Sequence, residues 1–534
     1  MAAYLDYREI KVYLDGGWFD ITSDIVSPIK CDWGISGNSP LDRIAQAGTM
    51  SFDVNNINKN YSPGSATTYG IIKGTPIKLT LAYDGATYVR FYGLVDEVKI
   101  QSGDRGTRRA TINAVDWMEI ASTYPLILPQ SYTNKRADQG VTLIVDAMPI
   151  QPQARDFATT NDTFGIIFDV IKSRTKALTE FAKLMLSEFG YLYLRKDKLY
   201  GETLMIEAKH DRDSGITQST IPVTSDTSGR MLAEDGSYVL AEDGYKIIND
   251  ESTTYDFDNS MLSLETIYGD NYYNYVVVRN YPRLVGASTA VLYQINAPIS
   301  LAAGETKTNL KGSYTDPVAG GTQINGTGMT TPVSGTDYKM YQNSDGTGTN
   351  LTANLSVTAD YGTDGVIYTI TNTGGTAGYV TLLQARGYPV YVYNPVEQFT
   401  QDNASVLQNG YNELLVDQKY STTLLPNIGL AQVLLSQEKD AKVVVSKINL
   451  LANTSPQHMN SFLQYDVGSL IKIEENQTGT NDYFFIQAVD FQIDLGGVIK
   501  YSYLLKNAVT LSSSYWTLET AGKSELESTT FVSY

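Results

Sequence analysis

The sequence predicts a mainly β protein with minor α, divided into several domains, and three observations carry that expectation. The chain has 534 residues, too many for one ordinary hydrophobic core, so three or four domains are expected. It holds 39 tyrosines and only 18% charged residues, with Thr, Asn and Gly plentiful, a mixture that favours strands and turns over helices. Alternating apolar and polar runs separated by Asp-Gly turns recur along much of its length.

Charge and cysteine usage narrow the function. A net charge of −18 argues against a protein that grips nucleic acid, because phosphate binding needs clustered Lys and Arg; DNA passing near such a surface is expected to be repelled. The single cysteine, Cys31, has no intrachain partner for a disulfide, so stability is expected from packing and assembly. The N-terminal MAAYLDYREIKVYL lacks a charged-then-apolar signal pattern, and no apolar run approaches the roughly 18 residues of a membrane span. A soluble protein made in a cytoplasm is expected.

Residues 1–130 read as an antiparallel barrel or sandwich, with turns at Asp15-Gly16-Gly17, Asp84-Gly85 and Gly103 to Gly106. The stretch Met50 to Lys78 organises this region. Phe52 and Val54 share one face of a strand that ends in Asn55, Asn56, Asn58 and Asn60; Tyr61-Ser62-Pro63 and a polar loop then lead to a second strand near Pro76 and Ile77. Trp18, Trp33 and Trp117 are the largest core candidates, with a subunit contact as the other reading. Arg105, Arg108 and Arg109 fall at a predicted hairpin tip and are expected to be a solvated loop, not a binding patch.

Residues 131–285 switch period. Leu178, Phe181, Ala182, Met185, Leu186 and Phe189 fall at helical spacing, and Gly190 is placed to stop the helix. Tyr191 to Leu194 predicts a strand that turns at Lys196-Asp197-Lys198 and returns through Leu204 and Ile206. Between Met231 and Asp250 the repeat LAEDGSYV, LAEDGYKI predicts a small solvated ribbon; its Glu234, Asp235, Glu242 and Asp243 lack the spacing of a calcium loop. Tyr272 to Arg283 reads as an apolar strand with Tyr on both faces.

Residues 286–378 are rich in Gly, Thr, Ser and Asn, yet LTANLSVTADY and VIYTITNT keep clear alternation, which predicts a β-sandwich-like insert. Within 379–510, Tyr379 to Val392 is expected to return the chain to the main body. A helix with Leu424, Ile428, Ala431 and Leu435 on its buried face, flanked by Leu430 and Leu434, precedes four strands. Residues 511–534 are polar with isolated Trp516, Phe531 and Tyr534, a C-terminal arm onto a neighbour or a frayed end.

His210 and His458 are the two histidines, each expected at the surface, so no paired-histidine zinc motif is present, and GxSxG is absent. Gly522-Lys523-Ser524 supplies only the tail of a phosphate loop, because position 517 is Thr. The pairs Asp213 with Glu207 and Asp96 with Glu97 are available to glycosidase chemistry only in the sense that an acidic chain always offers some pair. The expectation is therefore no catalytic, cofactor-binding or metal-binding residue and no enzyme.

The Asn-ended strand, the Tyr-Ser-Pro and the Gly-Thr-Pro of Met50 to Lys78 resemble the N-terminal region of hub-type minor tail proteins of long-tailed bacteriophages. So do the flanks VYLDGGWFDIT (Val12 to Thr22), VRFYGLVDEV (Val89 to Val98) and ATINAVDW (Ala110 to Trp117), in the family's order. Further on, the helix followed by a hairpin, the Leu-Gln-Ala-Arg-Gly-Tyr-Pro run, the Gly-Ser-Leu-Ile-Lys-Ile of 468–473 and the Gly496-Gly497 turn are similar to the same family. The resemblance implies a structural virion protein of the tail tip or baseplate hub. In it, two antiparallel β-barrel-like hub modules per subunit, arranged as a homotrimer, adapt a sixfold tail tube to a threefold tip. It implies a distal tail protein, the tape measure protein and tip or fibre proteins as partners, with no sequence-specific nucleic acid. The other classes left open are a carbohydrate-binding receptor-recognition tail protein and a tail-associated glycan hydrolase.

Overall fold

The computed structural model describes residues 3–63, 68–102, 108–126, 131–169, 175–196, 201–209, 211–212, 224–225, 231–232, 257–268, 272–422, 425–440 and 443–508. The chain is mainly β with several sheets and a minority of helix, as its composition predicts. Of the Glu-Asp-Gly ribbon, only the two-residue strand Met231–Leu232, paired with Thr224–Ser225, lies within the described residues. The C-terminal arm, Leu424, Arg105, His210 and Asp213 lie outside them.

The largest element is a twelve-stranded antiparallel sheet built from both ends of the chain. Strands Tyr7–Leu14, Gly17–Asp20, Ile29–Gly34, Gln46–Asn55, Pro76–Tyr83, Ala86–Gln101 and Arg109–Val115 form one half. Val443–Leu451, Leu470–Glu475, Thr480–Ile493 and Ile499–Asn507, with Ser263–Tyr268 at the far edge, form the other. The halves meet where Ile29–Gly34 pairs with Thr480–Ile493, from Ile29 opposite Ile493 to Gly34 opposite Ala488. The two expected barrel-like modules are thus the two halves of one sheet, because Ile29–Gly34 is laddered to a partner on each side. No pairing among the described residues closes the sheet into a ring.

The seam is tight. Gly34 has a φ of +118°, and a Cβ there would lie 2.4 Å from the Gln487 carbonyl oxygen and 2.6 Å from the Ala488 Cα. The ladder is bulged on both flanks, between Asp32 and Gly34 and between Ile486 and Ala488, which lets the backbones approach. Apolar residues alternate inward along these strands: Cys31 and Trp33, Met50, Phe52 and Val54, Val489, Phe491 and Ile493 all join one core.

The Asn-rich stretch acts as local scaffolding. After strand Gln46–Asn55, the Asn56 amide oxygen accepts the Tyr61 N–H at 3.0 Å and its NH2 donates to Ser62 Oγ at 2.9 Å, curling the loop back. Tyr61 is thereby buried, its hydroxyl donating to Asp24 at 2.8 Å and its ring edge-on to Tyr69 at 5.2 Å. Burial and the Asp24 carboxylate push the Tyr61 phenol well above its ordinary pKa.

The helix and hairpin form as predicted: helix Ala177–Glu188, then strands Tyr191–Arg195 and Thr203–Glu207. One detail differs. Phe189, not Gly190, takes the left-handed conformation at φ 64°, held by the Arg43 guanidinium stacked 3.5 Å from its ring centroid and donating to its carbonyl at 2.6 Å. Gly190 is needed instead for close pairing, since a Cβ there would lie 2.5 Å from the Glu207 carbonyl oxygen.

The Tyr-rich strand Tyr275–Asn280 is the centre of a three-stranded sheet, antiparallel to Val396–Gln401 and parallel to Glu413–Gln418. Helix Leu425–Glu438 covers one face: Leu430, Ala431 and Leu434 pack on Val276, Val278, Leu414 and Val416. Ile428, expected on the buried face, is 39% exposed, because the covered stripe runs one position round the helix.

The insert is a two-sheet sandwich. Strands Thr306–Ser313, Gly365–Asn372 and Leu355–Tyr361 make one sheet. The other is organised on Gly378–Val392, which pairs along one side with Arg283–Val285, Ala290–Gln294 and Ile299–Leu301, and along the other with Asn325–Thr327 and Tyr338–Tyr341. That long strand, expected to carry the chain back to the main body, is first the spine of the insert. Leu292, Tyr314, Met340, Tyr368, Ile370 and Val380 fill the space between the sheets.

Gly34→Ala is expected to destabilise the main sheet by about 2 kcal/mol or more, through the clash and the positive φ. Thermal unfolding of the purified chain checks this, and an unchanged midpoint contradicts the seam geometry.

Candidate functional site

Five buried charged side chains from three parts of the chain converge beneath the main sheet. Asp466 follows helix Pro456–Gln464; its Oδ1 accepts the Trp33 indole N–H at 2.6 Å and the Val467 N–H at 2.7 Å, and its Oδ2 accepts the Lys196 backbone N–H at 2.7 Å. The Arg90 guanidinium lies 3.7 Å from the same Oδ2 and 5.2 Å from the Trp33 ring centroid. The Lys196 ammonium reaches Asp116 Oδ2 at 3.1 Å and Glu202 Oε2 at 3.7 Å. None of the five side chains is more than 3% exposed.

The electrostatics follow from burial. Burial opposes the Lys196 charge, but Asp116 and Glu202 outweigh it and its pKa is raised. Burial pushes the Glu202 carboxyl up to about 7; Lys196 and the Trp117 N–H pull it down, and Asp116 pushes it up again. With Glu202 protonated, Arg90 and Lys196 face Asp116 and Asp466, and the cluster is neutral as a whole. Its chemistry is that of a lock between the N-terminal strands, the hairpin and the C-terminal strands.

A second lock ties the hairpin unit to the three-stranded sheet and the insert. Tyr420 donates its hydroxyl to buried Glu180, which also pairs with Lys183 at 2.8 Å, and the Tyr420 N–H donates to Ser187 Oγ at 3.0 Å. Asp169 forms a buried ion pair with Arg283, which donates to the Lys419 carbonyl at 2.8 Å. The insert joins through Asn325, which donates to the Asp169 carbonyl at 3.0 Å, through the Ser131 hydroxyl, which donates to the Gly326 carbonyl at 3.0 Å, and through the Thr327 hydroxyl, which donates to the Ser131 carbonyl at 3.1 Å.

Two aromatic surfaces face outward. In the terminal hairpin, Tyr13 opposes Trp18, their rings edge-on at 5.4 Å, with the Lys78 ammonium 4.1 Å over the indole. Strand Gly17–Asp20 is exposed at every residue and ends the sheet path. On the face of the three-stranded sheet away from helix Leu425–Glu438, Tyr275 stacks on Phe399 at 5.5 Å and meets Tyr411 edge-on at 5.6 Å; Phe399 is 64% and Tyr411 70% exposed.

Several sequence candidates change character here. Trp33 and Trp117 are core, but Trp18 is at an exposed edge, because sheet order and not alternation decides which strand is terminal. His458 is buried, not at the surface: Ser455 caps helix Pro456–Gln464, and the ring nitrogens meet Thr454 Oγ1 at 2.6 Å and Ser260 Oγ at 3.1 Å. Burial lowers its pKa. The Ser455-Pro456 pair was the available signal for that helix. Lys196, expected in a turn, is buried in the first lock. Asp96 pairs with Lys73 and Glu97 with Lys99, both at the surface; Glu207 is held by Tyr193 at 2.6 Å and Arg212 at 2.5 Å. Arg109 begins a strand and lies 3.7 Å from Asp53. Gly522-Lys523-Ser524 and the repeat carboxylates lie outside the described residues. Among the described residues no group of three or more His, Cys, Asp or Glu side chains is arranged to hold a metal ion.

Solved structures resemble the chain over nearly all of its length. The 43 kDa tail protein of prophage MuSo2 from Shewanella oneidensis aligns over 94% of this chain and 98% of its own, with 11% identity and a TM-score of 0.46. The tail protein from Neisseria meningitidis MC58 aligns over 94% and 96%, with 8% identity and a TM-score of 0.44. Prophage tail protein gp18 from Listeria monocytogenes EGD-e aligns over 95% and 96%, with 7% identity and a TM-score of 0.38. The chain is similar to prophage tail proteins. No family model and no curated protein matches the sequence.

Because the folded chain holds the Glu202 proton more tightly than the unfolded chain, this group's contribution to stability is full below pH 4.5 and is lost as pH rises through about 7. Glu202→Gln is therefore expected to flatten that decline and to stabilise the protein above pH 7, read as the difference in unfolding midpoint from wild type between pH 5 and 8. Equal pH profiles would contradict it.

Proposed function

We propose that this chain is a structural virion protein of the tail tip or baseplate hub of a long-tailed phage, working as a homotrimer that adapts the sixfold tail tube to the threefold tip. It does so without catalysis. Its neighbours in this proposal are the distal tail protein, the tape measure protein and tip or fibre proteins.

The observation that carries the proposal is where the motif-bearing segments lie. The segments starting at Val12, Met50, Val89 and Ala110, which resemble the hub family, all contribute strands to one half of a single sheet, and the C-terminal segments of the same resemblance complete the other half. Buried charges fasten that sheet to the hairpin unit, while the sheet ends in an exposed edge bearing Trp18 and Phe19. A stiff body with aromatic contact groups at its margin suits a ring subunit.

Mass measurement of the purified chain at micromolar concentration is expected to give a trimer, weakened about tenfold or more by Trp18→Ala. A stable monomer without affinity for other tail proteins contradicts the proposal.

The Tyr275, Phe399 and Tyr411 surface supports a second role in glycan recognition, since exposed aromatic faces suit sugar rings. Glycan-array binding that disappears in Phe399→Ala is the expected sign of it; binding that survives the substitution places recognition elsewhere.

A further inference from the structure

At the seam of the main sheet, four oxygen-bearing side chains line up across four neighbouring strands: Thr49 opposite Asp32, Asp32 opposite Asp490, and Asp490 opposite Ser502. Like charges directly opposed across a ladder are destabilising unless something neutralises them. Thr49 donates its hydroxyl to Asp32. Asp490 has neither a hydrogen bond nor an ion pair from its side chain among the described residues. Partial burial, and then the Asp490 and Asp116 charges, hold the Asp32 carboxyl above its ordinary range against the pull of that Thr49 bond, although Asp32 and Asp490 are both exposed to solvent.

The two carboxylates line a pocket of about 220 Å³. Ser502 also lines it, 6% exposed, with no hydrogen-bond partner for its hydroxyl among the described residues. The wall continues through Ala47 and Leu504, and through Lys447, which makes an ion pair with neither carboxylate. The pocket therefore combines an unneutralised pair of anions, an unused hydroxyl and an apolar flank.

We propose that this pocket receives an arginine side chain from a neighbouring protein. A guanidinium presents five donors in one plane, which satisfies two carboxylates and a hydroxyl together, and its aliphatic stem suits the apolar flank. A bare divalent cation is the poorer occupant: calcium takes about six to eight oxygen ligands, the pocket offers two carboxylates, and an ion has no stem to lay on the apolar flank. That the occupant belongs to a protein rests on the assembly role proposed above; affinity for the side chain itself does not.

The test titrates the full chain with argininamide, lysinamide and calcium chloride by calorimetry. Argininamide is expected to bind saturably with a Kd of roughly millimolar, several-fold tighter than lysinamide, and about tenfold weaker to Asp490→Asn. The same variant is expected to unfold at a higher temperature than wild type, because the opposed charges are removed, which also shows that it folds. No saturable binding of argininamide, equal binding by the variant, or tighter binding of calcium overturns the proposal. Loss of the trimer with argininamide binding intact contradicts the assembly role alone.

Discussion

Asp466 stands where the N-terminal strands, the hairpin and the C-terminal strands meet, and it accepts a hydrogen bond from each of them. Desolvating ionic groups is unfavourable, and the attraction of Arg90 and Lys196 for Asp116 and Asp466 offsets it only while those four are in place. Losing one partner leaves a buried charge uncompensated, at a cost of about 3–5 kcal/mol. Apolar packing tolerates small shifts of one layer over another. Directed hydrogen bonds from an indole and two backbone amides to one carboxylate do not, so the cluster fixes how the three parts sit together.

The same division of labour runs through the molecule. Buried ion pairs and hydrogen bonds such as those of Asp466, Glu180 and Asp169 join parts of the chain internally, whereas the surface carries exposed aromatic groups at Trp18 and Phe399 and an open pair of acids at Asp32 and Asp490. With a net charge of −18, such a surface repels other acidic surfaces at long range and selects basic or apolar contacts at short range.

Alternation made most strands legible in the sequence, including the polar ones of the insert, because each has one buried face and one wet face. Helical spacing revealed helix Ala177–Glu188 in the same way. The locks were not legible. Lys196 stands in a Lys-Asp-Lys run that reads as a turn, and its partners Asp116 and Asp466 are distant in sequence. Helix Pro456–Gln464 is short and of low hydrophobicity, so His458 read as a loop residue although Ser455-Pro456 marked a helix start. Trp18 and Trp33 lie in similar alternating patterns; only the order of strands in the sheet separates edge from core. The fusion of the two strand sets depends on a pairing that no local pattern encodes.

That pairing also sets a schedule. Ile29–Gly34 waits for partners roughly 460 residues downstream, and at about 5–20 residues per second the ribosome delivers them only tens of seconds after the first strands emerge. Throughout that interval one flank of the nascent strand offers bare amide and carbonyl groups to any passing polypeptide. The sandwich and the hairpin unit, whose pairings are nearer in sequence, are in a position to fold first, leaving the main sheet to close last. Completion of the main sheet therefore waits on Thr480–Ile493, and a product truncated before that strand would keep an open edge along Ile29–Gly34.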